Sequence, residues 1–269
     1  MTRDESIIEL GSWLESPPGR YLLAWEQERL DHAVADAFGF YALQLGLPEI
    51  DALRANRMPC RWTADTRAAP PLAASSAAPR RALALQCDFD ALPYPNASID
   101  LVVLPHALEL ARDPHQTLRE VERVLVAEGR VVIVGFNPAS LWGLRQQAGQ
   151  LKRRLGLGQS LFLPETGGFI NYWRMRDWLR LLGFEVESGR FGCWRPPLRS
   201  QGWLDRWAWM DRLGDHGWPV LGAVYMLVAV KRVRGMRLVG LARPARRKAQ
   251  TAPAPLTQRR AENKEVEIG

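Results

Sequence analysis

Three side chains in the stretch ALQCDFDALPYPNASIDLVVLPHALEL, residues 84–110, have the types and spacing for chemistry: Asp88, Asp90 and His106. A histidine at a ligand-facing strand end can take a proton from a hydroxyl or amine nucleophile, because its ordinary pKa lies near neutrality. A carboxylate just past a strand can accept hydrogen bonds from a ligand amino group, or can cap its own loop through backbone amides. Asp90 reads as a solvated neighbour, and Asp100 as a residue that bonds its own turn. His106, Glu109, Asp113 and His115 are also metal-ligand types. Only His106 and Glu109 share a helix face, however, and Asp113 is placed to cap, so no metal site is expected.

The elements that position these groups can be read around them. Two apolar runs, residues 84–86 and Ile99 to about Leu104, read as strands joined by a Pro–Asn–Ser turn. DPHQTLREVERVLVAEG follows as a helix, with Asp113 as N-cap, Pro114 in the first turn and Leu118, Val121, Val124 and Leu125 as its apolar stripe. Gly129 is expected to end it, and RVVIVGF is the next strand. Upstream, residues 4–15 and 20–37 read as helices separated by SPPG, and residues 40–46 as a short strand ending at Gly46. A short helix is expected within residues 47–60, and a strand over residues 61–65. Residues 66–81 are small and Pro-rich and read as an exposed loop. Downstream, residues 137–164 read as one or two helices with a basic face, followed by a loop. MRDWLRLLGFEVESGRFG gives a helix, a stop at Gly183 and a strand, and the apolar run of residues 218–230 closes the sheet. Strands alternating with helices at this spacing predict an α/β, doubly wound, mostly parallel sheet, whose ligands bind beyond the carboxyl ends of its strands.

Of the 269 residues, 47% are hydrophobic and 24% charged, the balance of a globular protein. The acids in the first ten residues and the absence of any long apolar run predict a cytoplasmic chain. Cys60, Cys87 and Cys193 are too far apart for a zinc or disulfide framework. The net charge of +7 is concentrated: residues 231–248 hold eight basic residues and no acid, and residues 249–269 balance three against three. Residues 139–200 carry ten basic residues against four acids. Such runs attract polyanions, and the tail is a candidate for contact with nucleic acid or an anionic membrane surface.

Residues 87–138, CDFDALPYPNASIDLVVLPHALELARDPHQTLREVERVLVAEGRVVIVGFNP, resemble the class I S-adenosylmethionine-dependent methyltransferases. The likeness lies in their acid, Leu–Pro–aromatic turn, Asp-led strand, His-containing loop, helix and Gly-terminated strand entry. GFYALQLG and GFNPASLWGLR are similar to a bacterial methyltransferase type 11-like group with a reduced glycine loop. The resemblance implies a Rossmann-like seven-stranded sheet and S-adenosylmethionine as cofactor. Asp88 would then contact the adenine amino group and Phe89 pack on its ring. Leu104 and Pro105 would line the methionine end, with Gly46 as the first glycine of the cofactor loop. His106 is the candidate general base, and Asn137 and Trp142 are candidates for substrate contact. Asp65 stands where a ribose-binding acid is expected. The sequence departs from the family at LQLGLPEI, where Gln44 replaces the usual acid and no glycine follows Gly46.

These readings divide the chain into N-terminal helices (1–39), a methyltransferase-like domain (40–232) with residues 139–170 as a lid or substrate insert, and a basic, disordered tail (233–269). The leading expectation is methyl transfer to a small, partly apolar acceptor. The alternative is a binding or scaffolding module that kept the fold and lost catalysis with its glycines.

Overall fold

Ser16 starts the first long helix. Its side chain accepts a hydrogen bond from the Gly19 amide, and Pro17 and Pro18 occupy the first turn, where a missing N–H costs nothing. SPPG therefore separates two helical segments by launching the second, α1 (Pro17–Ala35). Leu22, Glu26, Leu30 and Val34, spaced four apart, form its buried face. This computed structural model describes residues 10–66, 84–156, 161–164 and 168–232. Much of the Pro-rich segment, residues 67–83, and the basic tail lie outside the described residues.

Seven strands follow: β1 (Tyr41–Leu45), β2 (Cys60–Asp65), β3 (Leu85–Gln86), β4 (Ile99–Pro105), β5 (Leu125–Phe136), β6 (Phe184–Gly192) and β7 (Val224–Lys231). They form one sheet in the order β3-β2-β1-β4-β5-β7-β6. β1 to β5 run parallel, whereas β7 pairs antiparallel with both β5 and β6. The expected mostly parallel, doubly wound sheet is present. Its faces separate by strict alternation: Leu101 and Val103 of β4 join Val132 and Val134 of β5 under α1, while Val102 and Leu104 join Val131 and Ile133 on the other side.

The second face is covered by α3 (Pro114–Val124), which follows the single turn α2 (Ala107–Leu110), and by α5 (Tyr172–Leu181). Asp113 caps α3 as the sequence implies, accepting from the amides of His115 and Gln116. The helix stops at Val124 rather than at Gly129, because Leu125 already pairs with Ile99 of β4 across a register shift. Gly183, at φ +83°, turns the chain from α5 into β6. A helix α4 (Leu141–Arg154) follows β5, and two short helices, α6 (Gln201–Arg206) and α7 (Trp209–Gly217), precede β7. No helix of the described residues is long and apolar enough to cross a membrane.

The helix expected within residues 47–60 is absent, and turns take its place. The reason is Gln44, buried in β1. Its amide nitrogen donates to the carbonyls of Gly46, Leu47 and Ile50, and its oxygen accepts from the Ala52 amide. Drawn inward to one side chain, these carbonyls hold the stretch in successive turns rather than in a regular helix. Leu47, Ile50, Leu53 and Met58 pack from these turns against the α1 face of the sheet. Gln44→Glu, which restores the acid expected from the family, should destabilise the fold by about 2–3 kcal/mol, since three buried carbonyls would lose their donor. The midpoint of chemical denaturation reads this directly, and an unchanged midpoint would show that the loop does not depend on the amide.

Candidate functional site

The strand order reverses between β1 and β4, so the ligand edge lies at their carboxyl ends. Gly46 leaves β1 at φ +76°, and its amide donates to the Ala64 carbonyl of β2. A Cβ at Gly46 would sit 3.5 Å from both the Phe89 ring and the Ala107 methyl. The structure thus brings Gly46, buried Phe89 and the start of α2 into one contact. Leu104 and Pro105 end β4 and are buried, with Pro105 paired to Val134 of β5. Asp88 is exposed just beyond β3, where one of its oxygens accepts from the Asp90 amide. Asp65 is buried at the end of β2 and accepts from the Thr66 amide at 2.7 Å. Asp90 does more than meet solvent: it accepts from the Thr117 hydroxyl and so fastens its loop to α3.

The two residues expected to touch substrate are buried and hold the fold together. The Asn137 amide donates to the carbonyls of Val220 and Gly222, and its oxygen accepts from the Ala139 amide, tying the end of β5 to the approach of β7. The Trp142 indole donates to the Arg195 carbonyl at 2.7 Å. Its ring meets Trp13 and Phe162 edge-on. Trp13 in turn packs edge-on against Phe136. Together the four rings make an apolar group beside the end of β5.

His106 sits in the left-handed region at φ 51°, with its amide bonded to the Val134 carbonyl. Its ring is fully buried. Nε2 lies 2.7 Å from Glu26 of α1 and Nδ1 lies 2.8 Å from Glu109 of α2. The other Glu109 oxygen accepts from the Phe136 amide at 2.5 Å. Burial alone would lower the imidazole pKa, but the two carboxylates outweigh it and raise it to about 10. The two carboxylates favour the protonated ring, and with both nitrogens engaged inside the protein neither is open to a substrate proton. The geometry corrects the expectation of a general base to that of a structural imidazolium. The expected pairing of His106 with Glu109 on one face is present, while Asp113 is committed to its cap and the His115 ring lies 3.7 Å from the Trp178 ring. Among the described residues, no group of three or more His, Cys, Asp or Glu side chains is arranged to hold a metal ion.

Glu26 escaped the sequence reading, yet it left a sign. A carboxylate stands between Leu22 and Leu30 on the buried stripe of α1 and must find a buried partner. A second polar set anchors the same helix. The Tyr21 hydroxyl donates to Asp211 of α7, and Arg195 pairs with Asp211 at 2.8 Å while lying over the Tyr21 ring.

Because its folded pKa is raised, His106 stabilises the fold fully below its ordinary pKa of 6.5, and this contribution is lost as pH rises through about 10. Thermal unfolding followed across this window should show a falling Tm in the native chain and a flatter profile in His106→Gln. That variant also removes the cation shared by two buried carboxylates and should lose about 3–5 kcal/mol near neutral pH. Identical pH profiles for the two proteins would refute the buried imidazolium.

Comparisons with known proteins agree with this architecture. A family model described as a methyltransferase domain matches residues 59–133, beginning just after the loop that Gln44 holds. The uncharacterized protein YafS of Escherichia coli (strain K12) is 35% identical over 149 residues, 55% of this chain and 55% of that protein. A malonyl-[acyl-carrier protein] O-methyltransferase of Halorhodospira halophila is 42% identical over 66 residues, 24% of this chain and 22% of its own. The matches thus span about half of the first relative and about a fifth of the second. Among solved structures, the complex between the Haloferax volcanii Trm112 methyltransferase activator and a methyltransferase contains a chain with TM-score 0.55 and 17% identity. The match covers 84% of this chain and 98% of that one. A SAM-dependent methyltransferase from Thermotoga maritima gives TM-score 0.52 at 16% identity, over 79% of this chain and 92% of its own. The chain shares the fold of these solved methyltransferase structures, and residues 59–133 of it match the methyltransferase-domain model.

Proposed function

We propose that this chain transfers a methyl group from S-adenosylmethionine to a small, partly apolar acceptor. The observation that carries the reading is the meeting of Gly46, Phe89 and the Pro105–Ala107 turn where the strand order reverses. The donor set there suits an adenosine: an exposed carboxylate beyond β3, a second beyond β2, and a glycine facing an aromatic ring. Asp88 would accept from the adenine amino group, Asp65 would face the ribose hydroxyls, and the Gly46 backbone would lie along the ligand. When bound, the cofactor supplies an electrophilic sulfonium methyl. The chain's part is orientation and exclusion of water, with His106 holding the edge rather than moving the proton.

The second reading, a binding module without catalysis, is favoured by a specific observation. Leu47, Phe89, His106 and Ala107 are all buried at this edge, and the loop that would cradle the ligand is fastened to Gln44. Calorimetric titration of the purified chain with S-adenosylmethionine and S-adenosylhomocysteine separates the two. Saturable binding is expected, weakened by about 1.5–3 kcal/mol in Asp88→Ala through loss of a charged hydrogen bond. A folded protein that takes up neither ligand would favour the module, and unchanged affinity in Asp88→Ala would remove that residue from the site.

A further inference from the structure

Helix α4 carries two apolar stripes, and only one faces the protein. Trp142, Gly143 and Gln146 are buried on the inner side. On the opposite side Leu141, Leu144, Ala148 and Leu151 recur at alternating intervals of three and four residues, and Leu155 at the C-cap continues the series. The leucines are 47%, 55%, 59% and 66% exposed in chain order. Lone exposed leucines are ordinary, but a continuous stripe along a whole helix marks a surface that something covers.

The charges around the stripe narrow its occupant. Arg145, Lys152 and Arg154 flank it, and residues 139–156 contain no acid. The three-four spacing is that of a coiled-coil seam, but a second copy would set these cations against their like. Nor does the chain's own tail offer net complementary charge, since residues 231–248 are basic without an acid and residues 249–269 balance three basic residues against three acids. An anionic lipid interface answers both features at once, offering an apolar phase to the leucines and negative headgroups to the cations. The neighbouring segment points the same way. It is fastened to α4 by bonds from Trp142 to the Arg195 carbonyl and from Arg145 to the Pro197 carbonyl. Just beyond, Trp203, Trp209 and Trp218 are each about half exposed. Tryptophan is the side chain most at home between acyl chains and headgroups.

We infer that α4 is an interfacial helix that lays its outer leucine stripe into the headgroup layer of an anionic bilayer, docking the protein peripherally. This assignment does not depend on methyl transfer.

The test is co-sedimentation of the full chain with vesicles of phosphatidylcholine alone and of equimolar phosphatidylcholine and phosphatidylglycerol. The protein should pellet with the mixed vesicles and stay in solution with the neutral ones. Leu144→Ser combined with Leu151→Ser keeps every charge and removes only water-exposed leucine, so its Tm should match that of the native chain. It should bind the mixed vesicles at least about tenfold more weakly. Lys152→Glu with Arg154→Glu should weaken binding as well, through charge alone. A native chain that ignores the mixed vesicles would overturn the inference. So would a serine variant that pellets like the native chain, because the basic tail would then carry the binding. A dimer in sedimentation velocity that the serine variant dissolves would assign the stripe to self-association instead.

Discussion

A protonated imidazole held between two buried carboxylates fixes the geometry on which the rest of the ligand edge depends. Glu26 comes from α1, Glu109 from the turn after β4, and the second Glu109 oxygen reaches the amide that ends β5. Four groups from three parts of the chain thus meet on one ring and one carboxylate. Their mutual attraction is strong because water is absent, and the cost of stripping them of water is large for the same reason. One oxygen of Glu26 has no hydrogen-bond partner, so the set is not fully satisfied. What it secures is position: α1 crosses the sheet where its carboxylate reaches His106. The meeting of Trp13, just before that helix, with Phe136 and Trp142 rests on the same crossing.

The loop after β1 solves a neighbouring problem by a different route. Successive glycines let a backbone approach a ligand closely by removing side chains. Here a single primary amide gathers the loop from within, bonding three carbonyls and one amide. A carboxylate at residue 44 could accept from Ala52 but could not donate to the carbonyls. The glutamine and the loss of later glycines therefore belong together: one defines the loop's shape, and the other becomes dispensable once that shape is set.

Much of the fold was legible because local signals agreed with tertiary demands. Asp113, Pro114 and the Leu118–Val121–Val124 stripe announce α3, and the near-continuous apolar run of residues 99–105 announces a strand buried on both faces. The misreadings have physical causes. Residues 47–60 have a sequence that can turn helical, but bonds from Gln44 draw the Leu47 and Ile50 carbonyls into turns. The end of α3 was misplaced because Leu125 fits the helical stripe as well as it fits a strand, and only pairing with Ile99 decides. At the candidate site, the resemblance singled out Asp88 and Gly46, whereas nothing in the sequence announced the surroundings of His106. Its partner Glu26 lies 80 residues away, and no local pattern links them. Asn137 and Trp142 look available in sequence and are enclosed in space by the approach to β7 and by Trp13.

The position of β7 has a consequence for how the chain is made. β6 sits at the margin of the sheet and hydrogen-bonds to β7 alone, while β7 is wedged between it and β5. On the ribosome, β6 emerges before its sole partner has been translated. The nascent protein must carry an unpaired strand until Lys231 clears the exit tunnel. Among the described strands β7 is the last in sequence, so the sheet is completed by inserting it between β5 and β6 after the parallel half has been made.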